Sequence, residues 1–143
     1  MKSIILLLIS VTVNEYITGQ VELQSDIERP WYAVQLSSRG YVVSHVGEDP
    51  CRISAVDLDG RVSLSYGRRS VCDVNWPCHV IADRDDFLFV VDRYMCRVVL
   101  LSPGLELIRH VELEQRPTRL CLDDAARLLY VGHTSGDVVV VHM

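Results

Sequence analysis

Residues 75–101 read NWPCHVIADRDDFLFVVDRYMCRVVLL. Apolar runs alternate there with polar turns, and that alternation decides the fold. Pro77 precedes a run at Val80, Ile81 and Ala82. An acidic turn follows at Asp83, Arg84, Asp85 and Asp86, then a run at residues 87–91, a corner at Asp92 and Arg93, and a third run at residues 98–101. The runs are rich in Val, Ile and Leu. They are too short, and too broken by Pro, Gly and Asp, for helices, and they predict strands joined by tight turns.

The same phrase occurs elsewhere. Pro30 lies 47 residues before Pro77, and Pro117 lies 40 residues after it. With the prolines superposed, ERPWYAVQLSSRGYVVSH covers NWPCHVIADRDDFLFVVD without a gap. QRPTRLCLDDAARLLYVGH follows with one extra residue in its turn. The first two copies continue into hairpins, at residues 53–65 and 97–111, and the third adds one strand at 136–142. A unit of four short strands in about 40 to 47 residues is the period of a β-propeller blade. The expected fold is therefore all-β: about three four-stranded blades in an incomplete or open propeller.

The chain divides accordingly into residues 21–70, 71–113 and 114–143, the last copy incomplete. Residues 1–20 have two readings. The start MKSIILLLISVTV resembles a secretory signal, with Thr18 and Gly19 as small residues for cleavage. The favoured reading is the outer hairpin of a partial preceding blade, because Ser10 precedes Pro30 by 20 residues, as Asp57 precedes Pro77. The run is too short to span a bilayer, so no membrane association is expected. A cytoplasmic location is favoured, or a secreted one if residues 1–19 are a signal peptide.

Composition narrows the function. At 143 residues and 49% hydrophobic, the chain can bury a real core. A net charge of −5 removes any bulk attraction to nucleic acid. Lys2 is the only lysine, and the other 13 basic residues are arginines. The five cysteines, 51, 72, 78, 96 and 121, form no C-x-x-C. Reduced, mostly buried thiols are expected, with a Cys72–Cys78 disulfide as the alternative. The spacing of Cys72, Cys78 and His79 fits no closed zinc site.

Residues 75–101 resemble the NHL repeat, a propeller-blade motif, through Asn75, Pro77, Val80, Asp83, Phe89, Val90, Asp92, Arg97 and Val98. Asp86 stands where the motif has its turn glycine, which the first copy keeps as Gly40, and Met95 replaces an asparagine. Pro30, Pro77 and Pro117 are read as structural. So are Asp92 and Arg97, as the corner ion pair the resemblance implies. NHL propellers occur in tripartite-motif ubiquitin ligases, where they bind RNA or protein, and in a peptide-amidating lyase.

The candidate ligand-binding residues are Tyr32, His79 and Arg119, each two after a repeat proline, with Trp31 beside them and Arg93 at a corner. Matching positions in three blades place them at one end of the inner strands, on the rim of the axial cavity. Together they suit a peptide, an anion or stacked bases. RNA would use arginines 68, 69, 84, 93, 97, 116 and 119 with Tyr66, Trp76 and Tyr94. The acidic turn fails the calcium-loop pattern. His45 and His133 form a metal pair only if their blades bring them together. No catalytic motif is present. The expectation is a non-catalytic scaffold for protein or peptide ligands, without cofactor or metal. RNA binding and a metal-dependent lyase or hydrolase are the alternatives. Self-association is expected to complete the ring.

Overall fold

The computed structural model describes residues 4–10, 16–23, 27–46, 51–67 and 74–143, with side chains from Val21 onward. Cys72, Arg68 and Arg69 lie outside the described residues, and with them the Cys72–Cys78 disulfide and the Cys72 zinc reading. Every described element is a strand. In chain order they are β1 (Ile4–Ser10), β2 (Tyr16–Leu23), β3 (Pro30–Gln35), β4 (Tyr41–His45), β5 (Arg52–Val56), β6 (Val62–Tyr66) and β7 (Pro77–Ala82). Then come β8 (Leu88–Asp92), β9 (Arg97–Leu101), β10 (Leu107–Glu112), β11 (Pro117–Asp123), β12 (Leu128–His133) and β13 (Val138–His142). They pair antiparallel into four sheets: β1-β2, β3-β4-β5-β6, β7-β8-β9-β10 and β11-β12-β13. The last three are successive blades, termed blades 1, 2 and 3. Their first strands pack side by side, β7 touching both β3 and β11. The chain is thus an open propeller arc.

One hairpin geometry recurs. The first residue of each turn accepts from the amide three residues on and donates to the carbonyl four on. This holds at Leu36, Asp57, Asp83, Ser102 and His133. The fourth residue then takes a left-handed conformation: Arg39 at φ 72°, Gly60 at 80°, Asp86 at 64°, Leu105 at 58° and Gly136 at 94°. This is the three-residue loop whose bulge residue favours glycine. In blade 1 that residue is Arg39, not Gly40. Gly40 immediately precedes the return strand β4, and a Cβ added there would meet the Val56 carbonyl oxygen at 3.2 Å. The acidic residues of these turns hold backbone. Asp57 Oδ1 accepts from the Asp59 and Arg61 amides, and Asp83 Oδ1 from Asp85 and Phe87, all at 2.9 Å.

The period of two along each strand sends side chains to two different interfaces. Leu88 and Val90 of β8 pack with Val42 and Ile53 of blade 1. Phe89 and Val91, their neighbours in sequence, pack with Leu120, Leu129 and Val131 of blade 3. Likewise Val42 faces blade 2, whereas Val43 joins Leu23, Ile27 and Val56 beneath the β1-β2 hairpin. A central strand apolar on both faces is what this sandwiching needs. Each fully buried Val or Leu contributes about 1.5–3 kcal/mol.

Blade 3 has one uncovered face. On it Tyr130 pairs with Cys121 and Val140, and Gly132 with Val138. The matching positions of blade 2, Ile81, Phe89, Leu100 and Val98, all pack against blade 3. In blade 3 they remain open, with Val138 62% and Val140 46% exposed. Cys121 lies there too. Of the four described cysteines, all free thiols, only Cys78 is buried. The expectation of mostly buried thiols therefore fails, because Cys121 sits on this open face and Cys96 in the β8–β9 turn.

Candidate functional site

Strand alternation gives the arc two ends. The β3–β4, β5–β6, β7–β8, β9–β10 and β11–β12 turns form one, termed the hairpin end; the links between blades and the β8–β9 and β12–β13 turns form the other, termed the corner end. Each blade begins at the corner end in the same way. The repeat proline pairs with the last residue of the second strand: Pro30 with His45, Pro77 with Asp92, Pro117 with His133. The register then shifts by one residue. Such a bulge re-aims the side chains that follow it. The skipped residues are Trp31, Cys78 and Thr118, and the next are Tyr32, His79 and Arg119.

Of these last three, Tyr32 and His79 interlock the inner strands. The Tyr32 and His79 rings meet edge to face, centroids 4.5 Å apart. His79 Nδ1 accepts from the Leu120 amide at 3.0 Å, which ties blade 2 to blade 3. His79 is 6% exposed, so its ring buttresses the site more than it presents a surface. Burial, helped by the Arg119 guanidinium, lowers its pKa below the usual imidazole value. Cys78 Sγ donates to the Thr118 carbonyl at 3.8 Å. Burial pushes this thiol up, and the charges of Arg93 and Arg119 pull partly against that. Arg119 is exposed and donates from Nη1 to the Thr118 carbonyl at 3.0 Å.

An aromatic row lies on the same end. Trp31 meets Trp76 edge to face at 5.5 Å, and Trp76 meets Tyr94 at 5.6 Å. The Arg116 guanidinium caps the Tyr94 ring at 5.2 Å. Trp31 is 52% and Tyr94 48% exposed. Backbone bonds fix the row: the Tyr94 amide donates to the Asn75 carbonyl and the Arg93 amide to that of Trp76. Sequence alignment does not reveal it as a unit. Trp31 follows its repeat proline and Trp76 precedes its own, so no column of the repeat contains both.

Beneath the row the corner residues differ from blade to blade. Asp92 is fully buried, accepting from the Asn75 amide at 2.8 Å and from Arg97 Nε at 3.0 Å. Burial pushes its carboxyl up, against the pull of Asn75 and Arg97. His45 instead bonds Ser54 Oγ at 2.8 Å, and Ser54 bonds Ser65 at 3.0 Å. His133 is buried, and neither of its ring nitrogens has a hydrogen-bond partner among the described residues. Among the described residues no group of three or more His, Cys, Asp or Glu is placed to hold a metal ion.

At the hairpin end Asp86, at the glycine position of its turn, binds the preceding blade. Its carboxylate accepts from the Ser37 amide at 2.7 Å, Ser37 Oγ at 2.8 Å and the Ser38 amide at 3.3 Å.

No family model and no curated protein sequence matches the chain. Solved structures do. Hydrazine synthase of Kuenenia stuttgartiensis matches with TM-score 0.71 at 14% identity, over 89% of this chain and 48% of that one. A gluconolactonase of Xanthomonas campestris matches at 0.62 and 17%, over 81% and 38%. Virginiamycin B lyase of Staphylococcus aureus matches at 0.60 and 11%, over 90% and 45%. The chain spans about half the length of these propeller proteins or less. At such identities the likeness establishes the β-propeller fold, shared with lyases and a gluconolactonase, and no activity.

Proposed function

We propose that the chain belongs to an NHL-type propeller and acts as a non-catalytic scaffold that binds a protein or peptide ligand on its corner end. What supports this reading is the row of Trp31, Trp76 and Tyr94 at the corner end, the end of the arc that Tyr32, Arg93 and Arg119 share. Exposed aromatic rings and arginines are the residue types that dominate recognition surfaces. A lyase or hydrolase reading draws only on fold likeness. The positions two after each repeat proline, Tyr32, His79 and Arg119, supply one imidazole, and its Nδ1 is already committed to Leu120. RNA binding is the second reading, favoured by the alternation of those rings with arginines.

The test is affinity capture with the intact chain and with a Trp31→Ala/Tyr32→Ala/Arg119→Ala variant of unchanged circular dichroism. The variant is expected to lose the captured partners; a variant that keeps all of them refutes the reading. A salt titration separates the two ligand classes, because phosphate contacts weaken steeply with salt.

A further inference from the structure

Blades 1 and 2 each place a fourth strand on the outer edge of the third: β6 on β5 and β10 on β9. On β13, the third strand of blade 3, no strand is placed among the described residues. Burial shows the consequence. The first three residues of β9 are buried, whereas Val138, Val139 and Val140 of β13 are exposed.

The hydrogen bonding of β13 defines what its edge offers. The β12–β13 ladder runs without a register shift. At its two ends the His133 amide donates to the Asp137 carbonyl and the Met143 amide to the Arg127 carbonyl. Bonded and non-bonded pairs alternate along an antiparallel ladder. Val139 and Val141 therefore bond to β12, and Val138, Val140 and His142 aim their N–H and C=O groups outward. Such a row of backbone groups is a template for another strand, and edges that stay single are usually blunted by charge, proline or a bulge. β6 and β10 are blunted in this way. Each meets its neighbour with a register shift, and β10 carries Arg109 and Glu112. Residues 138–141 are four valines, with no charge, proline or bulge.

The edge is also complementary to itself. A two-fold axis at Val140, perpendicular to the sheet, sets two β13 strands antiparallel. Val140 then lies opposite its own counterpart, and Val138 opposite the position of His142 in the second copy. This register pairs all five residues of each strand, and every outward N–H and C=O meets an outward group. Any strand would satisfy the backbone groups. A second copy brings, in addition, uncharged β-branched residues in matching register and an edge of its own to cover.

We propose that the chain forms a two-fold dimer through β13, in which the sheets of the two third blades become one. Pairing uses up both edges, so association closes at two. Five residues a side fall well short of the roughly 20–30 of a standard interface, so the dimer is weak and is read at high protein concentration.

Sedimentation equilibrium of the intact chain is expected to reveal a species of twice the 16.2 kDa of one chain. Val140→Pro removes an outward N–H at an edge position where proline is tolerated, and is expected to be monomeric with unchanged circular dichroism. Val140→Lys and Val140→Glu each set like charges face to face across the axis. Each is expected to be monomeric alone, and the two mixed are expected to form a dimer. If Val140→Pro loses the fold, the lysine and glutamate pair decides. A monomeric wild type, oligomers larger than two, association that survives any of the single variants, or a mixture that stays monomeric overturns the inference.

Discussion

Replacing Asp86 by glycine distinguishes two accounts of one residue by the sign of the effect. Asp86 occupies a left-handed position at φ 64°, where glycine is the easier residue. If the side chain were idle, Asp86→Gly would stabilise the protein by about 0.5–1 kcal/mol. The structure gives the carboxylate three donors from blade 1, two at 2.7 and 2.8 Å, in a setting only 8% exposed. Hydrogen bonds to a charged group contribute about 1.5–3 kcal/mol, and they are not additive when one group makes them all. Their loss, less the relief of backbone strain, leaves a net destabilisation of about 1–3 kcal/mol. Urea denaturation followed by tryptophan fluorescence measures it, since Trp31 and Trp76 lie in the two blades joined.

A pH dependence accompanies the loss. Burial alone would raise the Asp86 carboxyl, but the bonds from Ser37 and Ser38 outweigh it and hold the group below its ordinary value. A depressed carboxylate stabilises the fold above its unfolded pKa of about 4, and that contribution disappears as pH falls through the folded value. The gap between wild type and Asp86→Gly should therefore close in acid. A glycine variant as stable as wild type, or more so, at pH 7 refutes the reasoning.

Three further outcomes are expected. Gly60→Ala puts a Cβ on the Glu22 carbonyl oxygen at φ 80°, so it should cost about 2–3 kcal/mol and loosen β2 from blade 1, read as faster amide exchange in β2. His79 holds a lowered pKa, so the folded state should lose stability as pH drops below about 6.5, by at most ~1.4 kcal/mol per pH unit; the urea midpoint of His79→Gln should fall less over that window. Finally, the uncovered face of blade 3 is the counterpart of a face that blade 2 buries. The isolated chain should therefore self-associate, and light scattering should give a mass above 16.2 kDa that Val138→Lys/Val140→Lys returns to the monomer; a monomeric wild type refutes this.

Much of the fold was legible in the chain itself. The prolines at 30, 77 and 117 set a period, and apolar runs between turn residues placed the strands of all three blades. Both depend on local backbone preference and strand periodicity, which a sequence carries directly. The repeat also put Tyr32 and His79 at matching positions, and the structure brings their rings to 4.5 Å. It could not give which face of β8 meets which blade or the burial of the His79 ring. It also gave no sign that Asp86 reaches Ser37, 49 residues away. These depend on how neighbouring blades close on one another.

Residues 75–101, read with the copies at Pro30 and Pro117, therefore determined that this protein is built from propeller blades, because strand alternation and the repeat period are written in the order of residues. Only the tertiary structure decided what the corner end offers. Trp31 follows one repeat proline, Trp76 precedes another and Tyr94 lies in a turn, and they form one row only because packing brings blades 1 and 2 side by side.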